Sequence, residues 1–330
     1  MRTALTAFLL LAAAPALAEP AITMFDVPGA TLTSVSSVSQ SGVVAGNYDA
    51  SGPCGEGCGF VRTPDGTITT FSISGADGID VTGVNDSGAV TGFYFQGSQV
   101  IGFVRTADGT VTEIRRGHKR VTAEDINQSG IVSGEMGDSK GFVRMPDGTV
   151  TPFKSNRCSA IETFGINTAG AVVGECDGES SSYGFLRQPD GTMSLIRPPG
   201  IDAGAFALDD DGSVAGYYFK RHGSATDGYV RDPDGTLHTF RFPRNFGSFG
   251  LTGLATVNGD RRMVGDAVTF PGGLWHGWIR HDDGTIELFD AGEGTVANTG
   301  TFVAGIVASG LIAGNFVDDN KVVHGYIRTP

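Results

Sequence analysis

Hydrophobic residues in this chain come in short runs that polar turns separate. Between residues 81 and 114, apolar positions fill four segments, 81–84, 89–95, 101–106 and 110–114. The intervening turns carry Asn-x-x-Gly or Asp-Gly, and an Asp-Gly pair puts glycine where the backbone needs a positive φ. The pattern therefore predicts a meander of four antiparallel strands.

The meander recurs along the chain, because a glycine followed by an aromatic, an aliphatic and an arginine residue appears seven times. The spacing between copies is 39 to 49 residues, with a mean of about 44. A period of this length is typical of solenoids and propellers. The seven motifs begin at Gly59, Gly102, Gly141, Gly184, Gly228, Gly277 and Gly325 and end at Arg62, Arg105, Arg144, Arg187, Arg231, Arg280 and Arg328.

The fourth strand of each meander has its own signature, an aliphatic residue followed three positions later by an aromatic residue or isoleucine. An extra copy, Ile22 and Phe25, lies near the N terminus, whereas the last meander ends at Pro330 without one. The two ends thus complete one unit. We predict an all-β fold, a seven-bladed β-propeller of four-stranded antiparallel blades, closed by pairing of residues about 22–27 with the last blade at about 300–329. A six-bladed ring with an additional hairpin is the alternative.

The first residues resemble an export signal. Arg2 precedes an apolar stretch at 4–14, and Ala16-Leu-Ala18 is a typical cleavage site. We expect residues 1–18 to be removed and residues 19–330 to form a single propeller domain in the periplasm or outside the cell. No later apolar run is long enough to span a bilayer, so no membrane insertion is expected.

The charge of the chain disfavours some partners. Its formal net charge is −13, which becomes −14 when Arg2 is removed. Nucleic-acid binding requires clustered basic residues, so nucleic acid is excluded as a partner.

Four cysteines occur in a chain predicted to reach an oxidising compartment, where disulfides persist. Cys54 and Cys58 lie in one loop, and Cys158 and Cys176 flank a predicted hairpin. We predict two local disulfides, one within each pair, although four cysteines also allow two other pairings.

The loops between second and third strands vary in length and chemistry, whereas the other turns are nearly uniform. Because binding sites concentrate on variable loops held by a rigid scaffold, this end of the fold is the predicted functional face. Its partner is a glycan, a small molecule or a protein, and the oligomeric state stays open. The candidate ligand-binding residues are Tyr48, Asp49, Tyr94, Glu135, Glu175, Tyr218, His222, Asp266, Trp275 and Asp318.

No catalytic motif is present in the sequence, and no cofactor or metal is implied. The stretch Asp209–Gly212 matches only part of a calcium loop. We therefore expect a non-catalytic scaffold. The alternative is a propeller hydrolase or lyase that uses carboxylates and a histidine at a central channel, for which the candidates are Asp80, His118, Glu124, Asp125 and Glu162.

The combination of Asn-x-x-Gly, Val-x-Gly, Gly-Phe-Val-Arg and Asp-Gly-Thr resembles the bacterial extracellular repeats named for a His-Ala-Phe motif. The resemblance covers almost all of residues 19–330, and His276-Gly-Trp278 and His324-Gly-Tyr326 keep the histidine. It implies export and a propeller-like array, and it implies no activity.

Overall fold

The computed structural model describes residues 20–49, 57–137, 139–220, 226–242, 246–269 and 272–330. The predicted signal peptide, Cys54 and His222 lie outside these ranges. Within them the chain is all β, with 29 strands and no helix. The described part of the chain accordingly offers no helix with the length and apolar character needed to cross a bilayer.

The strands form seven consecutive antiparallel meanders, which we number as units 1 to 7. Units 1 to 4 contain β2 (Leu32–Val38), β3 (Val44–Asp49), β4 (Cys58–Arg62) and β5 (Ile68–Phe71); β6 (Gly78–Val84), β7 (Val90–Gln96), β8 (Gln99–Arg105) and β9 (Val111–Ile114); β10 (Val121–Ile126), β11 (Val132–Met136), β12 (Lys140–Arg144) and β13 (Val150–Phe153); and β14 (Ala160–Ile166), β15 (Val172–Asp177), β16 (Ser182–Arg187) and β17 (Met193–Ile196). Units 5 to 7 contain β18 (Ile201–Leu208), β19 (Val214–Phe219), β20 (Thr226–Arg231) and β21 (Leu237–Arg241); β22 (Phe246–Phe249), β23 (Gly253–Val257), β24 (Asp260–Thr269), β25 (Leu274–Arg280) and β26 (Ile286–Phe289); and β27 (Gly300–Ile306), β28 (Ile312–Val317) and β29 (Val323–Thr329), together with β1 (Ala21–Phe25).

Units 1 to 5 are separate four-stranded sheets, as the hydrophobic pattern predicts. Units 6 and 7 belong to one nine-stranded sheet because a single parallel bridge joins Trp275 to Gly300. Unit 6 is also irregular in its first strand, which is split into β22 and β23, both paired with β24. The turn from β23 to β24 is a two-residue Asn258-Gly259 turn with positive φ at both positions, and such turns suit tight hairpins.

The N-terminal strand β1 pairs antiparallel with β29, from Ala21 opposite Thr329 to Phe25 opposite Gly325. This is the pairing that the sequence pattern predicts. β1 therefore takes the place of a fourth strand in unit 7.

The glycine and the arginine of the repeated motif both contact the aromatic residue of a fourth strand, and these contacts join neighbouring units. In unit 3, Gly141 pairs with Phe153, whose ring covers the glycine so closely that a Cβ there would lie 2.2 Å from the ring's Cζ atom. The guanidinium of Arg187, from unit 4, lies 5.0 Å from the centre of the same ring. Four further pairs repeat this stacking, namely Arg62 on Phe25, Arg105 on Phe71, Arg280 on Phe240 and Arg328 on Phe289. The repeated arginines thus bind one unit to the next.

The core lies between successive sheets. The aromatic residue of each repeated motif is 0% exposed, from Phe60 in unit 1 to Tyr326 in unit 7. Cys158 and Cys176 form the predicted disulfide in unit 4. Cys58 is also disulfide-bonded, and its predicted partner Cys54 lies outside the described residues.

Candidate functional site

The first strand of almost every unit carries an extra residue that breaks the register with its neighbour. In unit 3, for example, Ala123 and Asp125 face consecutive residues of β11, and Glu124 is the residue left over. Such a bulge bends the strand and redirects its side chain. The equivalent residues of units 1 to 7 are Ser36, Thr82, Glu124, Phe164, Phe206, Thr252 and Ala304, of which Thr252 lies in the break between β22 and β23. We call these residues the channel ring.

All seven residues of the channel ring line one cavity of about 240 Å³. The cavity is therefore surrounded by the first strands of all seven units and forms a central channel. It extends to the turns between first and second strands, where Gln40, Gln128, Thr168 and Asp210 line it. We call this end of the molecule the turn face, and the opposite end, with the connections between second and third strands, the loop face.

Two more cavities open from the channel toward the loop face. The first, of about 510 Å³, lies between units 3 and 4, where Arg120, Glu135 and Glu162 contribute to its lining. The second, of about 530 Å³, lies between units 1 and 2 and has Asp80 and Phe93 in its lining. Glu124 and Phe164 line both of these cavities and the channel cavity as well. The three spaces thus converge on one carboxyl group and one aromatic ring, and we call the two loop-face cavities together the channel mouth.

The carboxyl groups of the channel mouth are close enough to perturb one another. Burial raises the pKa of Glu124 above its usual range, and the nearby Glu135 carboxylate raises it further. Burial also raises the pKa of Glu162, with Asp177 and then Glu135 adding to the effect. Burial alone raises the pKa of Asp80. In each case burial is the largest cause, because a charged carboxylate loses solvent there, and the nearby guanidinium of Arg120 opposes the shift at Glu124 without cancelling it.

Asp125 follows Glu124 in sequence but points elsewhere. Its Oδ1 accepts a hydrogen bond from the backbone N–H of Ile126, and its Oδ2 accepts one from the N–H of Ile166 in unit 4. Burial raises its pKa to about 7 despite these two bonds. Asp125 therefore joins units 3 and 4, and its carboxyl group is not part of the mouth.

A stack of aromatic rings starts at the channel and runs toward the loop face. Phe164 lies parallel to Phe206, with 4.8 Å between ring centres, and Phe206 lies parallel to Tyr217 at 4.3 Å. Phe219 meets Tyr217 edge-on and is 39% exposed. Units 4 and 5 thus present a continuous aromatic wall beside the carboxyl groups of units 3 and 4.

The residue after the second-strand glycine reaches across to the next unit. Asn47 donates a hydrogen bond to the carbonyl of Ile79 and accepts one from the N–H of Val81. Asn315 likewise accepts a hydrogen bond from the N–H of Val35, and it donates one to the carbonyl of the same residue. At most of the seven equivalent positions, the side chain thus holds the first strand of the next unit in register.

Three predicted ligand-binding residues, Glu135, Glu175 and Asp266, occupy this position, and Glu135 and Asp266 accept hydrogen bonds from the next unit. The Oε1 of Glu135 accepts hydrogen bonds from the backbone N–H and the hydroxyl of Thr163. Asp266 accepts one from the N–H of Val303, and burial raises its pKa to about 6. Glu135 lines the channel mouth in addition.

The other predicted ligand-binding residues are dispersed over the loop face. Tyr48, Tyr94 and Tyr218 are buried. The remaining described side chains have local contacts. The Oδ1 of Asp49 accepts a hydrogen bond from the N–H of Gly57, and Glu175, whose pKa is raised by burial, is hydrogen-bonded to Ser182. Trp275 packs on Phe302 with 5.2 Å between ring centres, and Asp318 accepts hydrogen bonds from the N–H groups of Asn320 and Val322. The structure does not gather the described members of this set into one cavity.

The predicted catalytic candidates divide in the same way. Glu124, Glu162 and Asp80 line the channel mouth. His118 lies at the surface, where its ring bonds to the side chain of Gln99. In the described ranges, no group of three or more His, Cys, Asp or Glu side chains is arranged to hold a metal ion.

Sequence reasoning missed the aromatic half of the site. Phe164 and Phe206 belong to first strands, whereas the predicted ligand-binding residues lie in loops and at the strand ends beside them. The available signal was variation at one fixed repeat position, because the channel ring reads Ser, Thr, Glu, Phe, Phe, Thr and Ala while its neighbours, apart from Asp125, stay small or aliphatic.

No protein-family model and no curated protein sequence matches the chain. Among solved structures, a streptogramin B lyase superposes with a TM-score of 0.61 at 12% identity, covering 94% of this chain and 98% of that chain. A catalytically inactive virginiamycin B lyase from Staphylococcus aureus with quinupristin gives 0.60 at 13% identity, covering 94% and 100%. The β-propeller domain of the Trilobed protease from Pyrococcus furiosus gives 0.59 at 10% identity, covering 90% and 95%. These likenesses show the fold of this chain, which is a β-propeller.

Proposed function

We propose that the seven units are the blades of one closed propeller. β1 supplies the fourth strand of unit 7, and Arg62 of unit 1 stacks on Phe25 of that strand at 4.9 Å. Asn315 of unit 7 bonds to Val35 of unit 1 in the same manner in which Asn47 bonds unit 1 to unit 2. The contacts between the two ends thus match those between internal neighbours. The propeller domain of the Trilobed protease, in contrast, is described as having an open velcro topology.

The protein is an exported, non-catalytic scaffold that binds a small organic molecule at the channel mouth. One observation carries this proposal: three cavities from different units meet at Glu124 and Phe164. Ligand sites are concave, and they combine apolar or aromatic walls with a few polar groups. The channel mouth has this composition, whereas the predicted loop residues lie apart from one another. The disulfide between Cys158 and Cys176 is compatible with export.

The site is built on paired strands, which makes it rigid before any ligand arrives. Glu124 and Phe164 are bulge residues, and on both sides of each bulge the strand remains hydrogen-bonded to its neighbour. In a preorganised site, little binding free energy is lost to the ordering of side chains and loops.

The proposal is tested by ligand-observed NMR of a small-molecule fragment set with the purified protein. We expect a group of fragments to bind, and the variants Glu124→Gln and Phe164→Leu to abolish their signals. Glu293→Gln is the control, because it makes the same chemical change at an exposed residue that lines none of the three cavities. Fragments that bind equally to all variants would show that the ligand site is elsewhere.

The second candidate function is an enzyme, either a hydrolase or a lyase. The raised pKa of Glu124 favours this function, because a carboxylic acid that keeps its proton near neutral pH can act as a general acid. The histidines that the structure describes line none of the three cavities, so such an enzyme would depend on carboxyl groups. Mass spectrometry of each bound fragment after incubation tests this function, with conversion expected for the wild type and none for Glu124→Gln.

A further inference from the structure

The ligand class can be narrowed from the chemistry of the walls. We infer that the channel mouth binds an organic cation, an amine or quaternary ammonium compound that also carries an aromatic or aliphatic group. This inference rests on the proposed function and adds the charge and shape of the ligand to it.

One wall of the cavity between units 3 and 4 carries three carboxyl groups, which are negatively charged above the raised pKa of Glu124. Glu124, Glu135 and Glu162 come from three strands, β10, β11 and β14, and all line this space. The salt bridges of the described residues lie elsewhere, mostly in units 5 to 7, and none of them includes these glutamates. Glu135 is satisfied instead by the neutral donors Thr163 and Thr122. These carboxyl groups therefore have no salt-bridge partner among the described residues, and the charge of Arg120 only partly offsets the raised pKa of Glu124.

Basic residues are scarce at the mouth. Arg120 is the only one among the described residues that line the two loop-face cavities. An anionic ligand would thus meet three or four carboxyl groups and one guanidinium, whereas a cation would relieve the repulsion between the carboxylates. The balance of charge favours a positively charged ligand.

The other wall supplies an aromatic surface beside those carboxyl groups. Phe164 lines the same cavity as Glu124 and Glu162, and behind it the stack continues through Phe206 to Tyr217. The face of an aromatic ring attracts a cation, and this attraction grows when water is excluded. The same ring also packs against apolar groups. A carboxyl group and an aromatic face bordering one cavity suit a ligand with both a positive charge and a hydrophobic part.

The cavity between units 3 and 4 has room for such a molecule. Its volume of about 510 Å³ falls within the range of small-molecule pockets. It shares two lining residues, Glu124 and Phe164, with the cavity between units 1 and 2. The hydrophobic part of the ligand can therefore extend along the channel without moving the strands.

The test compares three probes of similar size by isothermal titration calorimetry at pH 8 and low salt: benzyltrimethylammonium, benzyl alcohol and phenylacetate. We expect benzyltrimethylammonium to bind at least tenfold more tightly than the neutral alcohol, and phenylacetate not to bind. We expect Glu162→Gln and Phe164→Leu each to weaken the cation at least tenfold. Glu293→Gln, the exposed control, should bind it like the wild type. Thermal melting of each variant confirms that it is folded before binding is measured.

The outcomes separate this inference from the proposed function. If benzyl alcohol or phenylacetate binds as tightly as the cation, and Phe164→Leu weakens that binding, the cation inference is overturned and the channel-mouth site stands. If the cation binds with equal affinity to Glu162→Gln and the wild type, the charged wall is not part of its site and the inference is again overturned. If neither these probes nor the fragment set bind in a way that depends on Glu124 or Phe164, both proposals fail.

Discussion

The close contact between Gly141 and Phe153 provides a sharp test of why the repeat requires glycine. A Cβ at position 141 would lie 2.2 Å from the Cζ atom of Phe153 and 2.6 Å from its Cε2 atom. At the equivalent Gly102, where the fourth strand carries Ile114, the nearest atoms would be Val121 Cγ1 at 3.1 Å and Ile114 Cβ at 3.4 Å. We predict that Gly141→Ala is clearly destabilising and that Gly102→Ala is nearly neutral.

The expected magnitudes follow from two opposing terms. Neither glycine has a positive φ, so alanine is allowed by the backbone and gains about 0.4–1 kcal/mol by restricting the unfolded chain. Overpacking a filled site costs about 1–3 kcal/mol. The ring of Phe153 is held from its other side by Arg187 and cannot move away freely. Gly141→Ala should therefore lose about 1–2 kcal/mol, and Gly102→Ala should change stability by less than about 0.5 kcal/mol.

Guanidinium chloride unfolding of both variants measures this difference as a shift in midpoint at constant slope. The double variant Gly141→Ala with Phe153→Leu provides the internal check, because a smaller side chain leaves space for the new methyl group. The loss in the double variant should be smaller than the sum of the two single losses. Equal losses for Gly141→Ala and Gly102→Ala, or strict additivity in the double variant, would refute the ring as the reason for the glycine.

Three further predictions concern the stability of the whole domain. In the folded state Asp125 holds a proton up to about pH 7, whereas the unfolded chain releases it near pH 4. The free energy of unfolding should therefore fall as pH rises through this window. The difference between melting temperatures at pH 5 and pH 8 should be smaller for Asp125→Asn than for the wild type. If the melting temperature of that variant depends on pH as strongly as that of the wild type, the raised pKa of Asp125 is contradicted. Replacing both Cys158 and Cys176 by alanine should cost about 3 kcal/mol, since the bond closes a loop between cysteines 18 residues apart; an unaltered unfolding midpoint would argue against this entropic contribution. Deleting residues 19–28, which removes β1, should lower the melting temperature by more than any single substitution named above, and a truncated protein that melts like the full chain would overturn the closure proposed for the ring.

The strand pattern was predictable because its signals are local. An Asp-Gly turn determines where a strand such as β8 ends, although β8 begins at Gln99, two residues before the predicted start, and the repeat shows which strands are equivalent. Pairing of β1 with β29 was also predictable, since the missing fourth strand at one end matches the surplus strand at the other.

The candidate site was only half predictable. Glu124 and Glu162 were predictable as candidates because carboxyl groups within first strands are expected to lie near a central channel. The role of Phe164 depends on a one-residue register shift that places it at the channel. Neither the turn residues nor the hydrophobic periodicity of the sequence predicts that shift. Glu135 was predicted to bind a ligand, but its main contact, with the backbone of Thr163, depends on how two units are placed in space.

The channel ring has a consequence for how this protein can change over evolutionary time or in the laboratory. Each ring position is supplied by a different repeat and takes no part in the strand pairing on either side of it. A substitution there can alter the chemistry of the channel while the glycine, aromatic and arginine residues that bind the units together stay intact. Ring positions that do not contact one another can therefore be exchanged one at a time to give new specificities, whereas Phe164 and Phe206, which stack on each other, should change together.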